Sequence, residues 1–149
     1  MAKRCAVTAL VVFAGIWSAM ASAEFLRESG DFDFGPQKDV IKGTAVCIVA
    51  KDMFQILDGI LVKADQSKLS KKLDDFVAAK RCKYVPASSV WVTKIRIGIF
   101  KVDGEEVWFP VGKVIIDSFE YYAAPDALVN TGSEMGQLVQ RAQSKATNN

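Results

Sequence analysis

Asp103-Gly104 lies between two runs rich in apolar residues, Ile95 to Val102 and Glu105 to Phe109. An Asp-Gly pair in that setting makes a two-residue hairpin turn, because both turn positions need positive φ and Gly supplies it without steric penalty. Such a turn fixes a register. Val102 must oppose Glu105, Lys101 must oppose Glu106, Phe100 Val107, Ile99 Trp108 and Gly98 Phe109. Side chains alternate between the faces of a strand. One face then carries Ile95, Ile97, Ile99 and Trp108, and Trp91 too if the strand runs unbroken. That is the expected core face. The other carries Lys94, Arg96, Phe100, Val102, Val107 and Phe109. An antiparallel sheet with one wet face shows polar groups outward. Two apolar faces therefore call for a second covering layer, or they leave a surface for a partner. The C-terminal segment offers such a layer through Met135, Leu138 and Val139. Without it, Arg96, Phe100, Val107 and Phe109 form a binding site, with the two Phe as anchors and Arg96 at the rim. Pro110 should end the second strand or sit on an edge, since it lacks an N–H.

Further elements follow from period and punctuation. Thr44 to Ala50 is rich in Val and Ala and reads as a strand. Met53 to Leu57 and Ile60 to Val62 flank Asp58-Gly59 and read as a second hairpin, with a short helix over Met53 to Leu57 as the alternative. Asp65 to Lys80 is a helix: Leu69, Leu73, Phe76 and Val77 fall on one stripe, with Lys80 and Arg81 at the negative end of its dipole. Lys113 to Ile116 and Phe119 to Tyr122 are short strand candidates. Thr131-Gly132-Ser133-Glu134 fits a capping box ahead of a C-terminal helix. Residues 24–42 show little apolar periodicity and read as a leader that is loose or draped on the fold, tethered by Phe25, Phe32 and Phe34. Asp31 to Phe34 begins like a calcium loop, but Pro36 and Lys42 occupy the positions that need Gly and Glu.

The N-terminus reads as an address. Lys3 and Arg4 precede an uncharged stretch from Cys5 to Ala23, and Ala21-Ser22-Ala23 supplies the small residues of a cleavage site before Glu24. This is the pattern of a secretory signal peptide, residues 1–23. No later run is long enough to span a membrane once it is removed. The remainder holds 17 basic and 17 acidic residues, which gives no electrostatic footprint for nucleic acid. Charge is uneven along it: Lys63 to Lys101 has ten basic and three acidic residues, Val102 to Glu134 one basic and seven acidic. Complementary parts of one domain attract each other.

Export places Cys47 and Cys82 where disulfides persist. Two cysteines allow one intramolecular pairing, and closing that loop is worth about 4 kcal/mol in the chain-entropy description. The chain is expected to divide into the signal 1–23, the leader 24–42, a single α+β domain over 43–145 and a frayed tail 146–149. Its architecture is α+β with a small, mostly antiparallel sheet, one helix inside the disulfide loop and another at the C-terminus.

The stretch Cys82 to Ile116 resembles a bacterial SH3-like domain. The matching pieces are Val90-Trp91-Val92, Ile97-Gly98-Ile99-Phe100, Asp103-Gly104 and Val107-Trp108-Phe109. The family often has Gly-Trp-Val at the last of these, and the helix inside the disulfide loop is not a standard part of it. The resemblance implies an SH3-like barrel as the alternative to an open antiparallel sheet, and an exported binding module, and it transfers no site residues.

The chain has no His. That excludes a Ser-His-Asp triad, a Cys-His dyad and the usual zinc sites. With both cysteines bridged, no cofactor or metal is expected, and only carboxylates remain for hydrolysis. Asp103, Glu105 and Glu106 cluster at the hairpin, where turn chemistry and cross-strand pairing account for them. The expected function is an exported, disulfide-stabilised, non-catalytic binding module, periplasmic or secreted, whose partner is a protein or a cell-envelope polymer. The alternatives are an inhibitor or accessory protein of an envelope enzyme, and a carboxylate-dependent hydrolase. A flat aromatic patch would favour the first, a protruding rigid loop the second and a cleft with two facing carboxylates the third.

Overall fold

The computed structural model describes residues 23–61 and 66–147. The expected signal peptide lies outside the described residues except for Ala23, as do Val62 and the last two residues. The strands are β1 (Ala23–Ile41), β2 (Thr44–Cys47), β3 (Cys82–Val85), β4 (Ser88–Val102), β5 (Glu105–Ile116) and β6 (Phe119–Ala123). The helices are α1 (Ala50–Leu61), α2 (Gln66–Ala78) and α3 (Gly132–Thr147), with a 3-10 turn at Pro125–Ala127. The strands form one antiparallel sheet in the order β1-β4-β5-β6-β2-β3. The fold is therefore α+β as expected, with an open sheet whose edges are β1 and β3.

The β4–β5 hairpin has the register that Asp103-Gly104 dictates, from Val102↔Glu105 through Gly98↔Phe109. Both turn residues have positive φ, 51° and 86°. Asp117 and Ser118, at 51° and 72°, make a second such turn between β5 and β6. Without a glycine, that turn has no signature in the sequence. Trp91 departs from the expected face. A bulge between Val92 and Lys94 interrupts β4, so Val92 points into the core while Trp91 lies on the opposite face and is 45% exposed. Pro110 does not end β5. It pairs with Ile97, but β6 joins β5 only from Gly112 onward, so at Pro110 the strand has a single neighbour.

The sheet coils strongly. Gly43 and Lys42 alone join β1 to β2, which stand four places apart in the sheet order. Three Cα steps reach about 11 Å, whereas four strand spacings in a flat sheet are about 19 Å. The ends must therefore curl toward each other. Lys42 N–H donates to the Ala127 carbonyl at 2.8 Å, and Ile41 bridges to Leu128. Coiling puts Val46 and Val85 of β2 and β3 in one core cluster with Val90, Ile95, Ile97 and Val114.

Both faces are covered, but not by the helix expected. α3 packs Met135 and Val139 onto the Ile95–Ile97–Ile99 face, with Trp108 and Leu138 at its margin. The Phe100 face is covered by α1 and α2. Met53, Phe54 and Leu57 pack with Phe100, Val111 and Tyr122, and Leu69, Leu73, Phe76 and Val77 flank them. Burying both faces needs two layers, and the single C-terminal helix can supply only one. Phe54 fits because residue 98 is glycine: a Cβ there would lie 2.5 Å from the Phe54 ring.

Two further expectations are corrected. Residues 53–61 are not part of a hairpin, and Val62 lies outside the described residues. Ala50, Met53, Phe54 and Leu57 fall at helical spacing, all four are buried, and Asp58-Gly59 lies inside α1. Residues 24–41 are not a loose leader but β1, paired along β4 over their length. Three register shifts break its alternation, which is why no period shows in the sequence.

The Cys47–Cys82 disulfide is present and joins directly opposed residues of β2 and β3. α2 ends just before it in a Schellman motif: Arg81 N–H donates to the Phe76 carbonyl and Lys80 N–H to the Val77 carbonyl. Lys80 takes the left-handed position, φ 62°. Arg81 then reaches back to the buried Asp52 carboxylate through Nε and Nη2.

Candidate functional site

α1 and α2 cover only part of the Phe100 face. Beyond Phe54 and Tyr122 the same face continues as a polar surface built from β1, β4, β5 and β6. Arg96 is its centre. Its Nε donates to Asp31 Oδ1 and its Nη1 to Glu28 Oε1, both at 2.8 Å. Lys113 Nζ lies 3.4 Å from Asp31 Oδ2 and 3.7 Å from Glu120. Lys94 Nζ donates to Asp33 at 2.7 Å. Arg96 and Lys113 also sit 5.6 and 5.9 Å from the Tyr122 ring centre.

Asp31 and Asp33 stand directly opposite Arg96 and Lys94, and the register shift between Glu28 and Asp31 adds Glu28 to the cluster. Glu28 pairs with Gly98 and Asp31 with Arg96, so three steps on β1 match two on β4. In a regular strand Glu28 and Asp31 would point to opposite faces. The extra residue brings both onto the face of Arg96. The sequence placed Arg96 correctly but could not assign its acidic partners, because alternation fails where a strand is bulged.

The charges are mutually satisfied. Burial alone would raise the Asp31 carboxyl, but hydrogen bonds and charge from Arg96 and Lys113 hold it below the usual aspartate range. The hydrogen bond to Asp31 is the largest influence holding Arg96 above its ordinary value. Burial would lower Lys113, yet Tyr122, Asp31 and Glu120 leave it raised. No free nucleophile or unpartnered base stands in this group. At its border Trp91 offers an exposed indole, with Lys38 5.8 Å from its ring centre and Ile115 directly across the strand pair.

The other expected contact residues lie elsewhere. Phe100 is fully buried, with ring centres 5.5 Å from Phe25 and 5.9 Å from Phe54. Phe109 and Val107 are half-buried, Phe109 against the same cluster. Among the described residues two aspartates are buried, and both are structural. Asp39 accepts hydrogen bonds from the backbone of Val40, Asn130 and Thr131 and from the Thr131 hydroxyl, and so anchors the start of α3 to β1. The Thr131 hydroxyl thus serves Asp39, where the sequence suggested a capping box with Glu134. Asp52 is held by Arg81. Among the described residues no three His, Cys, Asp or Glu side chains converge as a metal site, and no helix is long and apolar enough to cross a membrane.

No protein-family model, curated protein or solved structure matches the chain.

Proposed function

We propose that the protein is an exported, non-catalytic binding module whose contact surface is the uncovered half of the Arg96 face, centred on Trp91. The observation that carries this is the indole itself: a large apolar ring left 45% exposed beside a rigid, ion-paired platform. An aromatic anchor next to ordered charge is the composition of contact surfaces rather than of idle ones. The partner is a protein or an envelope polymer. The N-terminal pattern Lys3-Arg4 to Ala23 and the buried disulfide support export.

The strand connections 42–43, 86–87, 103–104 and 117–118 are each two residues long and offer no protruding loop, which weighs against the inhibitor alternative. The buried carboxylates Asp39 and Asp52 are both committed to structural bonds, which weighs against hydrolysis.

The test is site-specific photocrosslinking of oxidised protein in its native envelope or culture medium. A crosslinker at position 91 should capture a discrete partner, and one at Gln137, on the outer side of α3, should not. Equal capture at both positions, or none at 91, refutes this surface.

A further inference from the structure

Away from the Arg96 face, a half-open groove of about 280 Å³ lies beside the disulfide, lined by Ile48, Val77, Lys80, Cys82, Lys83 and Tyr121. We propose that it binds a small amphipathic carboxylate, an acyl chain of about eight carbons with its head group between Lys80 and Lys83. Three observations converge on it.

The first is the wall. Ile48 is 55% exposed at the groove, and its neighbour Val49 is 51% exposed, so a large aliphatic pair is left without cover. The backbone of Ile48 is fixed at the groove, its N–H donating to the Arg81 carbonyl at 3.0 Å. The second is charge. Among the described residues neither Lys80 nor Lys83 has a carboxylate at ion-pair distance. Asp75 pairs with Lys71, and Asp74 accepts a hydrogen bond from the Tyr84 hydroxyl. Lys83 Nζ stands 5.3 Å from the Tyr121 ring centre, on the groove's own aromatic wall. The third is fixed geometry. Lys80 is held in the left-handed conformation by the Schellman bonds, and Lys83 lies in β3 next to the bridged Cys82.

An apolar wall flanked by two uncompensated ammonium groups complements a ligand with an apolar body and one anionic end. The volume suits a molecule of roughly ten non-hydrogen atoms, the size of octanoate. The groove's concave, half-open shape argues for a free acid rather than a lipid surface, which would need a broad, flat patch.

The experiment is an NMR titration of oxidised protein, residues 24–149, with octanoate, octan-1-ol and acetate. Octanoate should give saturable amide shifts confined to residues 48, 77–83 and 121, with a Kd on the order of 1 mM or tighter. Octanol and acetate should bind at least about tenfold more weakly, each lacking one half of the recognition. Combining Lys80→Gly, which suits the left-handed backbone, with Lys83→Gln should weaken octanoate by a similar factor without lowering the unfolding midpoint. Should that variant fold poorly, raising salt on the unaltered protein gives the same reading: affinity should fall as screening increases. The proposal is overturned by absent or non-saturating shifts, by octanol binding as tightly as octanoate, by salt-independent affinity, or by binding to anionic vesicles without binding to monomeric octanoate.

Discussion

Phe54 and Gly98 should be coupled with a sign that ordinary core mutations do not show. Phe54 is fully buried, stacked on Phe25 at 5.5 Å and edge-on to Phe100 at 5.9 Å. Phe54→Ala should cost about 3–5 kcal/mol, the usual loss for a buried aromatic. Gly98→Ala places a methyl 2.5 and 2.6 Å from two carbons of the Phe54 ring. Ordinary carbon contacts lie near 3.5–4.0 Å, so the ring must retreat by roughly 1 Å, into neighbours that already enclose it. Such overpacking costs about 1–3 kcal/mol. In the Phe54→Ala background the obstruction is gone. Gly98→Ala should there be neutral or stabilising by about 0.5–1 kcal/mol, since Ala suits a strand better than Gly. The coupling energy is then roughly 1–4 kcal/mol, read from urea unfolding of the oxidised protein in a double-mutant cycle. Additive effects would mean that the side chain at 54 does not sit on residue 98, and the α1 placement would fall with it.

Replacing Cys47 and Cys82 together by Ala should lower stability by about 2–5 kcal/mol, measured by urea unfolding without reductant. Lys80→Gly should raise stability by about 0.5–1 kcal/mol, because Gly takes the left-handed position without the penalty a Cβ brings; a lower unfolding midpoint would contradict the Schellman assignment. Asp39→Asn should cost about 2–3 kcal/mol near neutrality, since an amide cannot accept all the donors that converge there. Burial alone would raise the Asp39 carboxyl, but the hydrogen bonds from Thr131, Val40 and Asn130 hold it below the usual aspartate range. A depressed folded-state value contributes stability that is complete above the unfolded value, near pH 4, and is lost as pH falls through the folded one. The gap between wild type and Asp39→Asn should therefore narrow in acid, and a gap that is flat from pH 7 to 2 would show that Asp39 is not ionised in the native state.

The legible parts of the fold were those with a local rule. Asp103-Gly104 set the β4–β5 register to the residue, and the stripe Leu69, Leu73, Phe76 and Val77 marked α2. β1 was illegible because three register shifts destroy the period-two pattern on which strand detection depends. The same irregularity hid the site: Asp31 and Asp33 lie directly opposite Arg96 and Lys94 in a strand whose period could not be read, and Glu28 joins them only through the register shift between Glu28 and Asp31. The single bulge near Thr93 likewise moved Trp91 from the core face to the open one.

The segment misread as a second hairpin could have been recovered from packing alone. Asp58-Gly59 resembles Asp103-Gly104 locally, and local chemistry does not separate them. The demand for coverage does. The β4–β5 hairpin is apolar on both faces, so two layers must lie on it. α3 has one stripe, Met135 and Val139 with Leu138 beside them, and can cover one face. The other layer must come from the chain between the cysteines. α2 by itself presents half-buried residues, Leu69, Leu73, Phe76 and Val77, and reaches only the flank. The apolar residues between Ala50 and Leu57 are then the ones left to cover Phe100, and only a helical period puts Ala50, Met53, Phe54 and Leu57 on one side. A glycine opposite them, at position 98, completes the match: a strand rich in β-branched residues gives up a side chain where a phenyl ring needs the space.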